Sequence, residues 1–123
     1  MSHLVLVIDD DVIERELLQR CLATAGYRVF TAPDGEQGVT LARENSPDLI
    51  VLDVVMPRMN GYQTCRRLRA LADTATTPVL MLTSKDQAAD RFWADEVGAS
   101  AYLTKPVDVA QLLATAGRLL DSP

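Results

Sequence analysis

Five apolar runs punctuate the chain, and their texture differs. Residues 4–8 (LVLVI), 49–52 (LIVL) and 78–82 (PVLML) are almost unbroken. That is the pattern of parallel strands buried on both faces. Residues 27–32 (YRVFTA) alternate, which predicts an edge strand, and residues 101–104 (AYLT) are short and mixed, which predicts the other edge. Between the runs lie segments of helical spacing. Leu17, Leu18, Cys21, Leu22 and Ala25 mark one apolar face, Val39 and Ala42 another, and Leu68, Leu71, Phe92, Val97, Leu112, Leu113 and Leu119 continue the pattern.

Each helical segment opens with a capping signal. Asp11 precedes Glu14 by three positions, and the same spacing joins Asp34 to Gln37, Asn60 to Gln63, Ser84 to Gln87 and Asp108 to Gln111. In a capping box the first side chain accepts from an orphan amide and the second reaches back to the cap. Gly26 and Gly98 predict left-handed stops after the first and fourth helices. Five strands alternating with five helices give a (βα)5 doubly wound α/β fold, a parallel sheet covered on both faces. The order 2-1-3-4-5 puts strands 1 and 3 in the middle, as their unbroken apolarity requires.

With 123 residues and no linker or repeat, the whole chain, 1–123, is expected to form one domain. Its net charge of −5 argues against nucleic acid as a direct partner. No apolar run reaches the ~20 residues of a membrane span, and the start MSHLV lacks a basic signal-peptide region. A cytoplasmic location is expected. Cys21 and Cys65 have no metal-binding spacing and predict reduced, packed thiols.

In this fold ligands bind beyond the carboxyl ends of the strands, at the switch point between strands 1 and 3. Strand 1 ends in Asp9, Asp10 and Asp11, strand 3 in Asp53, strand 4 in Thr83 and Ser84, and strand 5 runs into Lys105 and Pro106. Gathered carboxylates repel one another unless a cation or a proton intervenes. Their all-oxygen ligation suits Mg2+, which leaves positions for waters and phosphoryl oxygens. Asp9 and Asp10 are the metal candidates, whereas the spacing of Asp11 to Glu14 makes Asp11 a helix cap. Asp53 is then placed to attack phosphorus, with Lys105 and Thr83 meeting the phosphoryl oxygens.

These segments, VIDDD (7–11), LDVVMPRMNGY (52–62), MLTS (81–84) and AYLTKP (101–106), together resemble the response-regulator receiver domain over essentially the whole chain. The resemblance implies the flavodoxin-like receiver fold, with Asp53 as phospho-acceptor and Asp9, Asp10, Asp53 and the backbone carbonyl of Val55 as the Mg2+ ligands. It implies contacts from Thr83 and Lys105 to the phosphoryl group and a cis Lys105–Pro106 bond. Tyr102 matches an aromatic whose rotamer accompanies switching, and Trp93 joins it on an output face of helix 4, strand 5 and helix 5. The donor implied is a histidine kinase or phosphotransfer domain. With no output domain after the fifth helix, the expected target is another protein, and a monomer is expected. Residues 83–108 further resemble single-domain, chemotaxis-type receivers of type IV pilus twitching.

Three positions depart from the commonest pattern: Ser84, where Ala is usual, and Val55 and Lys85, where the family varies. An apolar Val55 cannot orient a water, which predicts slow or partner-dependent dephosphorylation. Other readings fit less well. A phosphoaspartyl hydrolase would keep a second Asp at position 55, and a flavin module would not place three acids where a phosphate must sit. A degenerate, unphosphorylated domain would have lost site residues that this chain retains.

Overall fold

The computed structural model describes residues 2–84 and 88–121. Its elements are β1 (Leu4–Ile8), α1 (Val12–Thr24), β2 (Arg28–Ala32), α2 (Gly35–Asn45), β3 (Leu49–Asp53), α3 (Gly61–Ala70), β4 (Val79–Thr83), α4 (Ala88–Glu96), β5 (Ala101–Thr104) and α5 (Val109–Asp121). The five strands form one parallel sheet in the order β2-β1-β3-β4-β5, as the pattern of apolar runs predicts. All residues of β3 and β4 are buried, and all but the first of β1, whereas β2 and β5 remain partly open.

Strand alternation divides the core in two. Leu6, Ile8, Ile50, Leu52, Val79 and Met81 face one way, packing with Val39, Ala42, Cys65, Leu68, Ala94 and Val97 of α2, α3 and the α4 end. Val5, Val7, Leu49, Val51, Leu80 and Leu82 face the other way, against Leu18 and Leu22 of α1 and Leu112 and Ala116 of α5. Fully burying a leucine contributes about 1.5–3 kcal/mol, and Leu18 and Leu22, one turn apart, are the two residues that α1 buries against the sheet.

The predicted helix faces are narrower than the sequence suggested. Leu17 is 55% exposed and Phe92 56% exposed, and Ala25 also lies open. In α1 only the Leu18–Leu22 row meets the sheet. In α4 the sheet-facing row is Ala94 and Val97, which leaves Phe92 and Trp93 outside. The thiols follow expectation: Cys65 is buried, its Sγ donating to the Val97 carbonyl at 3.3 Å, and Cys21 is half-buried and free.

The caps are more varied than the shared spacing implied. Asn60 and Gln63 form a complete capping box. Asp34 and Asp108 accept from the amides of Gln37 and Gln111 at 2.8 and 3.0 Å. Gln37 turns its own amide to the Asp34 carboxylate instead of the backbone. Asp11 caps α1 by accepting from Ile13 and Glu14 amides, but Glu14 does not reach back. Gln87, the predicted partner of Ser84, and Lys85 fall outside the described residues. Gly26 and Gly98 take positive φ, 102° and 84°, as helix stops.

Candidate phosphoryl-transfer site

The carboxyl ends of β1 and β3 bring three carboxylates together. One oxygen each of Asp9, Asp10 and Asp53 lies within 4.8 Å of the others. Asp9 and Asp53 are buried, at 0% and 4% exposure, while Asp10 opens to solvent. Asp9 is fixed twice by α1. Its Oδ1 accepts from the Asp11 amide at 2.9 Å, and its carbonyl accepts from Arg15 Nη1 at 2.8 Å. Its Oδ2 is buried and has no hydrogen-bond partner.

Lys105 enters from the loop after β5. Its amide donates to the Thr83 carbonyl at 2.7 Å, and the following peptide to Pro106 is cis. Its ammonium lies 2.6 Å from Asp53 Oδ1. Thr83, buried, ends β4 one residue beyond Leu82, the register partner of Asp53. Tyr102 is half-buried on β5, paired with Met81 and packed on the core cluster that holds Ala94 and Val97. Trp93 stands apart on α4, 47% exposed and edge-to-face with Phe92.

Two residues complete the site in ways the sequence did not suggest. Glu14 serves Lys105 in place of a cap: its carboxylate oxygens lie 2.9 and 3.0 Å from the same ammonium that holds Asp53. Gly61 lets α3 start against the end of β3. A Cβ there would overlap the Asp53 carbonyl and stand 2.7 Å from Val54 Cα. The Gly61 amide instead donates to the Val54 carbonyl at 2.8 Å, while the Val54 amide donates to Leu82 at 3.0 Å. The chain leaving Asp53 is thereby pinned, and the side chain of Val55, next along, is 66% exposed.

Electrostatics follow from this crowding. Burial, and then the charges of Asp53 and Glu14, push Asp9 up to about 7 against the opposing Asp11 amide. Asp53 is also raised by burial, although Lys105 pulls it back. Burial alone would lower Lys105, but Asp53 and Glu14 outweigh it and leave the ammonium above its ordinary value. A hard divalent cation fits these donors: it would accept the unpartnered Asp9 Oδ2 and relieve the repulsion that now favours a proton.

The comparisons with known proteins agree with this geometry. A family model for the response regulator receiver domain matches residues 5–116. The chain belongs to that family. It is 42% identical over 116 residues to the protein PilH of Pseudomonas aeruginosa, covering 94% of this chain and 96% of PilH. It spans about half the length of other curated relatives that it matches. Among solved structures, the chemotaxis protein CheY4 of Vibrio cholerae superimposes with a TM-score of 0.92 at 34% identity, over 97% of this chain and 99% of CheY4. The receiver domain of the Pseudomonas aeruginosa sensor histidine kinase PA1611, with a magnesium ion in its active-site cleft, gives 0.92 at 29% identity, over 99% of this chain and 100% of that domain. The chain is thus a phosphorelay receiver. No helix among the described residues is long and apolar enough to cross a membrane.

Proposed function

We propose that Asp53 is the phospho-acceptor of this receiver, taking a phosphoryl group from the phosphohistidine of a histidine kinase or phosphotransfer domain. The observation that carries the reading is a buried carboxylate 2.6 Å from a lysine ammonium, inside the Asp9–Asp10–Asp53 cluster. Asp53 Oδ attacks phosphorus as the bond to the donor breaks, and the donor leaves with the bonding pair. Lys105 neutralises one phosphoryl oxygen and the Thr83 hydroxyl donates to another. Preorganised charge of this kind supplies most of the rate in phosphoryl transfer. Asp9, Asp10, Asp53 and the Val55 carbonyl are the residues that would hold Mg2+, which when bound neutralises phosphoryl charge.

Phosphorylation adds charge near −2 and gives Thr83 a new acceptor. Movement of Thr83 then opens room for Tyr102 to turn inward. Trp93, Tyr102 and Pro106 lie on or beside the α4–β5–α5 surface, where this repacking is read by a downstream protein. With Val55 unable to orient a water, the phosphoryl group is lost slowly unless a partner assists. The 42% identity to PilH, together with the resemblance over residues 83–108, supports a receiver of a type IV pilus pathway, and the same reading makes it a cytoplasmic monomer.

Intact mass after incubation with acetyl phosphate and Mg2+ tests the reading. The wild type gains one phosphoryl group and Asp53→Ala gains none. A wild type that gains nothing, or an Asp53→Ala variant that gains as much, overturns it.

A further inference from the structure

We propose that Glu14 is a positioning residue for Lys105 that disfavours phosphorylation by small anionic donors in free solution; this rests on Asp53 being the acceptor. The Lys105 ammonium is divided in this structure between Asp53, at 2.6 Å, and Glu14, at 2.9 and 3.0 Å. Glu14 is itself three-quarters buried, with a side-chain exposure of 24% against 21% for Lys105. The ion pair is therefore shielded from solvent on both sides, which makes it more than a surface pair of negligible strength.

Charge decides what this pair does. Asp53 and Glu14 both hold the Lys105 ammonium, and Asp9 and Asp10 add two more carboxylates beside Asp53. A divalent cation would be held by Asp9, Asp10 and Asp53, which leaves Glu14 as the carboxylate outside that group with a claim on Lys105. A small donor such as acetyl phosphate brings further negative charge and has almost no other surface with which to bind. In the transfer, the Asp53 carboxylate forms a bond to phosphorus while the bond to the acetyl oxygen breaks and acetate departs with the electron pair. The phosphoryl oxygens must take Lys105 from Glu14 as this occurs. A protein donor offsets the same repulsion with binding energy from its docking surface, remote from the reacting atoms. Glu14 therefore discriminates between donors by class.

The test is the rate constant for phosphorylation by acetyl phosphate with saturating Mg2+, followed by intact mass over a range of ionic strengths. Wild type, Glu14→Gln, Glu14→Asp and Glu16→Gln are compared. Glu14→Gln keeps the shape of the side chain and removes its charge; it should react about tenfold faster at low salt, and the shielding of the pair should leave about fivefold at 0.5 M. Glu14→Asp keeps the charge and should stay near the wild type. Glu16→Gln removes the same charge from an exposed position on the same helix and should leave the rate unchanged. A merely structural role for Glu14 would move none of the salt dependence. The proposal is overturned if Glu14→Gln matches or trails the wild type at every ionic strength, or if Glu16→Gln accelerates equally. If neither the wild type nor Glu14→Gln takes a phosphoryl group, the underlying reading fails instead, and the proposal with it.

Discussion

The first turn of α1 and the last turn of α4 are anchored by different means. At α1, the Asp11 cap, the Asp11 amide on Asp9, the Arg15 guanidinium on the Asp9 carbonyl and the Glu14–Lys105 pair hold the first turn beside the acidic cluster. At α4, the described polar ties come from α3 at one end: Cys65 Sγ on the Val97 carbonyl, and Arg69 Nε on the Gly98 carbonyl at 3.0 Å. The Phe92–Trp93 pair on its outer side stays largely in solvent. A reacting group needs its neighbours held to within tenths of an ångström. A surface that reports the reaction needs two packings close in free energy. In the proposed switch the two helices divide those requirements between them.

The largest effect that would break this contrast is electrostatic and lies on the α1 side. Asp9 has a folded pKa raised from its ordinary value near 4 to about 7. Its protonation therefore contributes stability that is complete below about pH 4 and lost as pH rises through about 7. Metal-free protein should lose on the order of 2 kcal/mol or more across that window by urea denaturation. Asp9→Asn should flatten the slope. Millimolar Mg2+ at pH 7.5 should restore about 1–3 kcal/mol to the wild type and much less to the variant. Equal slopes in the two proteins would show that Asp9 is not the strained group.

A smaller effect sharpens the α4 side. Arg69 also donates from Nη1 to the Thr77 carbonyl at 2.7 Å, so it joins the end of α4 to the segment before β4. Arg69→Ala should cost about 1–2 kcal/mol and raise amide exchange through 94–99. Trp93→Ala, on the open face, should stay within about 0.5–1 kcal/mol of the wild type. If Trp93→Ala costs more than Arg69→Ala, the outer face of α4 is structural.

Much of this was legible before folding was considered. The unbroken runs at β1, β3 and β4 announced burial on both faces, and the strand order followed from which runs were unbroken. The convergence of Asp9, Asp10, Asp53 and Lys105 then followed from where ligands sit in such sheets. Glu14 was hidden because an acid three residues after Asp11 has a sufficient local explanation, while its actual partner lies 91 positions away. Periodicity puts Leu17 and Phe92 in the core because it gives the direction of a helical stripe but not its width. Gly61 went unnoticed because the need for it is a close approach to the Asp53 carbonyl, which no local pattern records.

The central claim is that one carboxylate among several crowded ones accepts the phosphoryl group. Borohydride reduction of the acetyl-phosphate-treated protein converts an aspartyl phosphate to homoserine, and peptide mass mapping locates the change. The account predicts homoserine at position 53 alone. A reduced side chain at Asp9, Asp10 or Glu14 with Asp53 intact would contradict it.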